Sequence, residues 1–150
     1  MVPIDRLDDF CKSALEECDK IKSYVIVANE AELKDVMDKV RVYPLLVCVI
    51  PAAVGDDVSY DNVAERNAGL FFVLKPMKER MTPAQRKDLW KETQEGMKQL
   101  KEYIHACMVC SDFMDLFRDT DFGTREQNPE YQIVDLSGWS ILFTFSTDGF

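Results

Sequence analysis

The sequence predicts an α+β fold, in which a long helix and an N-terminal helix cover a mostly antiparallel sheet. Three observations lead to this prediction. Two segments place apolar residues at three- and four-residue steps, which is typical of amphipathic helices. Short runs of β-branched and aromatic residues favour strands. Strand patterns also follow one another directly in two places, which indicates hairpins. The 150 residues fit one α+β domain spanning 1–150.

The N-terminal third contains patterns for a helix, a strand and a short helix. Apolar spacing predicts a first helix over Ile4–Lys22, with acids in its first turn and lysines in its last, as the helix dipole favours. The β-branched run Tyr24–Val27 predicts a strand. Asn29 is a good N-cap and Glu32 completes a capping box, so a second helix is expected over Glu30–Val40.

Two apolar runs in the middle of the chain predict buried strands joined by a loop. The run Leu45–Pro51 follows Tyr43-Pro44, and both prolines lie at its ends, where a strand tolerates them. It is apolar on both faces, which predicts a central strand. The run Gly69–Leu74 has the same character. Because Ala52–Asn67 is rich in acids and turn formers, a long loop and an antiparallel pair are expected.

The clearest helix start lies at Thr82–Gln85, where threonine is a good N-cap, proline suits the first helical position and glutamine completes the capping box. The helix is predicted to run to about Phe117. One face carries a near-heptad stripe: Trp90, Thr93, Met97, Leu100, Ile104, Cys107 and Met114. Such a stripe can pair with another chain. The predicted sheet needs a cover, however, so we expect the stripe to pack on it.

The C-terminal part contains patterns for a polar loop and a hairpin. The loop is predicted over Asp119–Pro129 and a short strand over Tyr131–Leu136. Ser137-Gly138 is a turn signal. In Trp139–Thr147, apolar and mostly polar residues alternate, which predicts a half-buried strand. The predicted element order is therefore α, β, α, β, β, α, β, β.

Charge and hydropathy exclude several function classes. The net charge is −9 and the pI is about 4.6, which argues against a protein that grips nucleic acid by its phosphates. The longest apolar run, Pro44–Val54, is too short for a bilayer crossing, which needs ~20 residues. The first nine residues carry acids and no apolar core of a secretory signal, so synthesis and use in a cytosol are expected.

The best candidate for a metal site is the segment His105–Cys110, which holds one histidine and two cysteines. Zinc prefers four nitrogen and sulfur ligands, usually from two short clusters. The second cluster would have to be Cys11 and Cys18, whose spacing is not that of a zinc knuckle. On a helix, His105 would also face away from Cys107. We therefore expect these cysteines to be free thiols that pack as small apolar residues.

Other patterns for chemistry are weaker. A nucleophile pair of Cys48 with His105, the one histidine of the sequence, is possible in principle, and nothing near Cys48 indicates activation. The acids at Asp56-Asp57 and at Asp119 and Asp121 do not have the spacing of a calcium loop. None of the six glycines forms a phosphate-binding loop. The sequence thus predicts no catalytic residue, no cofactor and no bound metal.

The order of elements and two strand motifs resemble a known family. An N-terminal helix leads to an aromatic-proline-apolar strand, Tyr43–Val47, and an acidic segment leads to a second apolar strand. A long helix follows, and the last strand carries tryptophan and alternating apolar residues, Gly138–Phe145. This pattern resembles the tail-terminator and neck proteins of tailed bacteriophages, small α+β proteins that assemble as hexameric rings at the head-proximal end of the tail tube. The short helix Glu30–Val40 departs from it.

The resemblance implies a structural virion protein rather than an enzyme. It implies a homo-oligomeric ring, possibly a hexamer, at the tail-neck junction, with a tail-terminator or tail-completion role. The partners would be tail tube and connector proteins, with no membrane, and the ring would be assembled in the host cytoplasm. DNA would pass through without specific binding, because an acidic lumen repels phosphates. Residues proposed for the lumen or an interface are Asp56, Asp57, Asp61, Glu65, Trp139 and Phe143.

Two details of that hypothesis are specific. The acidic segment Val54–Glu65 is the candidate for the lumen face or the tube contact. The terminal strand, with Trp139 and Phe143, is expected at a sheet edge, where it would pair with the neighbouring subunit.

Two alternatives from other classes stay open. The first is a cytosolic adaptor or regulatory protein that binds a partner through the long helix, because its stripe lies between Trp90 and Phe117. The second is a zinc or thiol enzyme that uses His105 and the cysteines.

Overall fold

In the computed structural model, the chain is described over residues 2–59, 62–110, 113 and 116–148; for residues 53–59, 62–65, 110, 118, 119, 122–126 and 148 only the backbone is described. The elements alternate in the predicted order. They are α1 (Ile4–Glu17), β1 (Ser23–Val27), α2 (Glu30–Val36) with a single 3₁₀ turn (Met37–Lys39), β2 (Leu45–Ser59), β3 (Asn62–Pro76), α3 (Pro83–Cys110), β4 (Arg118–Ile133) and β5 (Leu136–Asp148).

The five strands form one sheet with the order β1-β2-β3-β5-β4. Only the pair β1–β2 is parallel, and the three other pairs are antiparallel. The predicted α+β class, with a mostly antiparallel sheet covered by a long and an N-terminal helix, is confirmed. None of the described helices combines the length and the hydropathy that a bilayer crossing requires.

One face of the sheet is covered by α1 and α3, and we call it the helix-covered face. Cys48, Phe71 and Ile141 are cross-strand neighbours on it and are all buried. The ring centroid of Phe10 on α1 lies 5.8 Å from that of Phe71 and 5.5 Å from that of Tyr103 on α3. The main core of the protein therefore lies between these helices and the sheet.

The long helix α3 starts as the sequence predicts. The Gln85 amide donates to Thr82 Oγ1 at 3.2 Å, and the Thr82 amide donates to Gln85 Oε1 at 3.0 Å, which is a complete capping box. Its stripe from Thr93 to Cys107 is buried against the sheet, as expected. A Cβ at Gly96 would lie 3.0 Å from Val73 Cγ1, so glycine allows α3 to approach β3 closely.

Of the described helices, α2 alone lies on the opposite face of the sheet, which we call the open face. Leu33 of α2 packs there on Val27, Val47 and Leu45, next to the β4–β5 turn. The connection between the parallel strands β1 and β2 thus crosses this face through a single short helix.

Several predicted boundaries are wrong. Within the predicted loops, Ala52–Ser59, Asn62–Asn67 and Asp119–Pro129 belong to strands, because these segments pair with neighbours in the sheet. The first helix ends at Glu17 rather than Lys22, since Cys18 already has extended backbone. The long helix ends at Cys110 rather than at about Phe117.

The expectation that the terminal strand forms a sheet edge is also wrong. β5 lies between β3 and β4 and pairs with both. The outermost strands are β1 and β4. This arrangement depends on pairing between distant parts of the chain, which local patterns do not contain.

Candidate functional site

The open face of the sheet has a groove, which exists because two elements differ in length. The seven residues of α2 span about 10 Å at 1.5 Å per residue. The fifteen residues of β2 span about 50 Å at 3.3 Å per residue. A helix this short covers only one end of the strands that it crosses, so the next stretch of the open face stays accessible.

The open-face groove has a volume of about 200 Å³. Most of its side chains are apolar, and two polar ones from the start of α2 join them. The lining residues are Val27, Asn29, Glu30, Leu33, Val47, Val49, Leu70, Phe72 and Ile133. Cavities of ~150 Å³ hold a benzene-sized group, so the groove has room for one bulky apolar side chain.

Local hydrogen bonds fix α2 at the rim of the groove. The Glu32 amide donates to Asn29 Oδ1 at 3.0 Å, which confirms the predicted N-cap. The Glu32 carboxylate accepts from the Ala28 amide at 2.7 Å, one residue before the position that a capping box uses. Both bonds hold the turn from β1 into α2, so the position of Glu30 at the rim is well defined.

A strand edge begins where the groove ends. The last residue pair of β1 and β2 is Val27 with Val49, and both residues line the groove. Beyond this pair β2 continues over Ala52–Ser59, paired with β3 on one side. On its other side, no strand of the described chain pairs with it. We call this segment the free edge, and the hairpin that it forms with Asn62–Ala68 the arm.

The acidic candidates for a lumen lie in or next to the arm. Asp56 pairs with Ala64, and Glu65 with Gly55, across the two strands, while Asp57 lies next to Asp56 in β2. Only the backbone of these three acids is described. Asp61 lies outside the described residues. The structure thus places three of the four acids on one hairpin without describing their side chains.

The two aromatic interface candidates lie on the helix-covered face. Phe143 is 1% exposed and packs against Phe71 at 5.8 Å, so it is a core residue of this chain. Trp139 is half-buried; its Nε1 donates to the Trp90 carbonyl at 3.1 Å, and the two indole rings meet edge to face. Both residues belong to β5, which lies between β3 and β4 and is not an edge strand.

The cysteines whose side chains are described are buried thiols without disulfides: Cys11, Cys18, Cys48 and Cys107. A hydrogen bond with Cys48, reinforced by burial, raises the pKa of Cys11 well above its usual range. Burial, with a smaller effect of Glu17, raises the pKa of Cys18 to about 11. Because thiolates are the nucleophiles and the metal ligands, raised pKa values make these thiols unreactive.

His105 and Cys107 do not converge. His105 is exposed and Cys107 is buried, as expected from their positions two residues apart on α3. Among the described residues, no group of three or more histidine, cysteine or acidic side chains is placed to hold a metal ion.

The long helix does not offer the free stripe on which the adaptor alternative depends. Thr93, Leu100 and Ile104 are buried on the protein's own sheet, and Phe117 is buried as well. The polar face of α3 is the part that solvent reaches.

Together, fold and site define a two-layer α+β protein whose sheet is closed on one face and partly open on the other. No protein-family model, no curated protein and no solved structure matches this chain. The resemblance to phage tail-terminator and neck proteins therefore stays a prediction from the order of elements and the two strand motifs.

The sequence pattern predicted neither the groove nor the free edge. The runs Leu45–Pro51 and Gly69–Leu74 are apolar on both faces, which indicates two covered faces. The only signal against this was the shortness of the second predicted helix, which is too small to cover two strands.

Proposed function

We propose that this chain is a structural assembly protein that forms a ring at the tail-neck junction of a tailed phage, as a tail terminator or tail-completion protein. The observation that carries the proposal is the arm, which extends past β1, is paired with β5 on the side of Ala64–Ala68, and contains Asp56, Asp57 and Glu65. A hairpin of this kind suits contact with a neighbouring protein, and its acids suit a surface that DNA passes.

Ring formation requires two different, complementary surfaces on each subunit. The sheet has two unlike outermost strands, β1 on one side and β4 on the other. Head-to-tail contact between unlike surfaces generates a closed ring when the rotation between subunits closes. The partners in this proposal are tail tube and connector proteins, and the setting is a virion assembled in the host cytoplasm.

An acidic arm also fits contact with DNA that does not bind it. The net charge of −9 makes association with phosphates unfavourable, so DNA would pass the ring without being held. Activity in this proposal is assembly, and no residue is assigned a catalytic role.

Light scattering behind a sizing column tests the proposal. We expect a discrete mass near six chains at high protein concentration or after addition of purified tail-tube protein, and annular particles by electron microscopy. A matched pair of variants tests the arm: Asp56→Lys with Asp57→Lys on the arm, and Asp5→Lys with Asp9→Lys on α1. The arm pair should abolish the ring and the α1 pair should preserve it. A chain that stays monomeric in both conditions contradicts the proposal.

A further inference from the structure

We propose that the free edge of β2, Ala52–Ser59, pairs with an extended basic strand of a partner protein, which places one bulky apolar side chain in the open-face groove. The inference goes beyond ring formation and does not depend on it, because a single copy of the chain holds both the edge and the groove.

The backbone along the free edge is paired on one side only in the described chain. In a strand, amide and carbonyl groups alternate in direction, so a strand paired on one side presents unpaired groups on the other. Ala52–Ser59 is paired with β3 alone in the described chain. The segment contains neither proline nor lysine, the residues that most often block an edge. Its backbone is therefore a template for one more strand.

The second argument is the contrast with the opposite edge. Three register shifts interrupt the pairing of β4 with β5, and Pro129 removes one amide donor. Bulges and proline are the devices by which proteins protect an edge from further pairing. On β2, register shifts lie between Val49 and Ala52 and between Asp57 and Ser59, and the six residues Ala52–Asp57 between them pair regularly and contain no proline. The longest regular run of β4, Glu126–Glu130, contains Pro129, so an added strand fits Ala52–Asp57 better than β4.

The third argument is the position of the groove. A strand added along the free edge would lie in line with β1, which ends at Val27. The end of the added strand would then reach the groove, because Val27 and Val49 form its wall at this point. Pairing through the backbone gives affinity, and a pocket for one side chain gives specificity. The groove volume of about 200 Å³ fits one leucine- or phenylalanine-sized group.

The acidic charge of the free edge and of the groove rim determines which kind of strand can bind there. The free edge has Asp56 and Asp57 and no basic residue, and Glu30 stands at the rim of the groove. Opposite charges on neighbouring strands stabilise pairing, and like charges destabilise it. A second copy of the free edge would add two more aspartates and no basic residue to the strand pair. A strand rich in lysine or arginine would bring opposite charges together, so the occupant is a basic segment of another protein.

Binding of a designed peptide tests the inference. The probe is a fluorescein-labelled ten-residue peptide that alternates lysine with valine or threonine and ends in leucine, and the readout is fluorescence anisotropy. Three matched peptides serve as controls: one with proline at two central positions, one with glutamate for lysine, and one with alanine for the terminal leucine. We expect each to bind at least tenfold more weakly than the probe. Equal affinity of the proline peptide would overturn strand pairing.

Matched protein variants test the groove rim. Glu30→Lys should weaken the probe about tenfold, and Asp35→Lys, an exposed acid on the same helix outside the groove, should change the affinity less than twofold. Equal effects of the two variants would overturn the role of the groove.

Hydrogen exchange distinguishes pairing from simple ionic attraction. The probe should slow amide exchange in Ala52–Ser59 at least fivefold and leave β4 unchanged. If exchange in Ala52–Ser59 is not slowed, or is slowed equally in β4, the inference is overturned. It is also overturned if the chain alone forms a dimer in which Ala52–Ser59 is protected. The experiment uses the chain below its assembly concentration, so failure of peptide binding and failure of ring formation are separate results.

Discussion

The two faces of the sheet are built from the same strands and yet reach different states. Neighbouring residues of β5 show this: Phe143 on the helix-covered face is 1% exposed, and Leu142 on the open face is 37% exposed. The helix-covered face has α1 and the 28-residue α3 above it, whereas the open face has the seven-residue α2. The amount of helix above each face, rather than the strand sequence, decides how much of that face is closed.

The comparison separates residues that hold the fold from residues that are available for contact. On the helix-covered face, aromatic rings pack on one another, as Phe10 and Phe117 do at 4.7 Å. On the open face, Val49, Leu70 and Phe72 are only half-buried. We therefore expect substitutions on the helix-covered face to affect stability mainly and substitutions on the open face to affect binding mainly.

The largest effect is expected from Gly138→Ala, which acts on the strand pair that both faces share. A Cβ at this position would lie 1.9 Å from the Val73 carbonyl oxygen, and backbone atoms of β3 cannot move aside without breaking the pairing with β5. We expect a loss of more than about 4 kcal/mol in the free energy of unfolding. Gly96→Ala is the contrasting variant, because its Cβ would meet side-chain atoms alone, the nearest being Val73 Cγ1 at 3.0 Å; urea denaturation should show a smaller loss of about 1–3 kcal/mol.

The next prediction compares one phenylalanine from each face. Phe143→Ala removes a ring from the core between Phe71, Phe117 and Phe145 and should cost about 3–5 kcal/mol. Phe72→Ala removes a half-buried ring from the open face and should cost about 1–2 kcal/mol. Both values come from urea denaturation. Equal losses would mean that the open face is as closed as the other.

A smaller, opposite effect is expected in the β4–β5 turn at the end of the open face. Val134 and Asp135 have positive φ angles of 50° and 63° between the paired residues Ile133 and Leu136. Glycine adopts this conformation without steric cost. Asp135→Gly should therefore raise the free energy of unfolding by about 0.5 kcal/mol. The same substitution in α2, Asp35→Gly, should lower it by about 0.5–1 kcal/mol, and thermal denaturation of both gives the comparison.

The smallest effect concerns pH and the surface of α1. Lys12 and Tyr24 donate to the Asp8 carboxylate at 2.8 and 2.6 Å, and they hold its pKa below the ordinary value of 3.8. A lowered folded-state pKa stabilises the protein above pH 3.8, and this contribution is lost as the pH falls through the folded-state value. Asp8→Asn should thus lower the thermal midpoint at pH 7 and match the native chain in stronger acid.

Local signals in the sequence predict much of this fold. The capping residues Asn29, Thr82 and Gln85 mark two helix starts, and the stripe of α3 indicates its buried face. These features depend on residues within a few positions of one another, so a single sequence contains them. The element order and the α+β class follow from the same short-range patterns.

The errors arise where pairing across the sheet overrides local composition. Ala52–Asn67 has the acids and turn formers of a loop, and yet the backbone of Ala52–Ser59 and Asn62–Asn67 pairs within the sheet. The segment Asp119–Pro129 also pairs, although register shifts interrupt it. The insertion of β5 between β3 and β4 depends on pairing between residues that are far apart in the sequence. The groove follows from the short α2, and the free edge follows from the end of β1 at Val27, so no local motif predicts them.

The place of β5 also has a consequence for how the protein reaches its folded state. β3 pairs with β5 across a stretch of chain that contains all of α3 and β4. The contact between Phe71 and Phe143 spans the same stretch, so the main core cannot form from the β2–β3 hairpin alone. Contacts between distant parts of a chain slow folding, because loop closure must precede them. The apolar side of the β2–β3 hairpin therefore stays exposed to solvent until β5 pairs with it. Refolding should be slower than in a helical bundle of equal length, and more sensitive to protein concentration because the exposed apolar surface can associate.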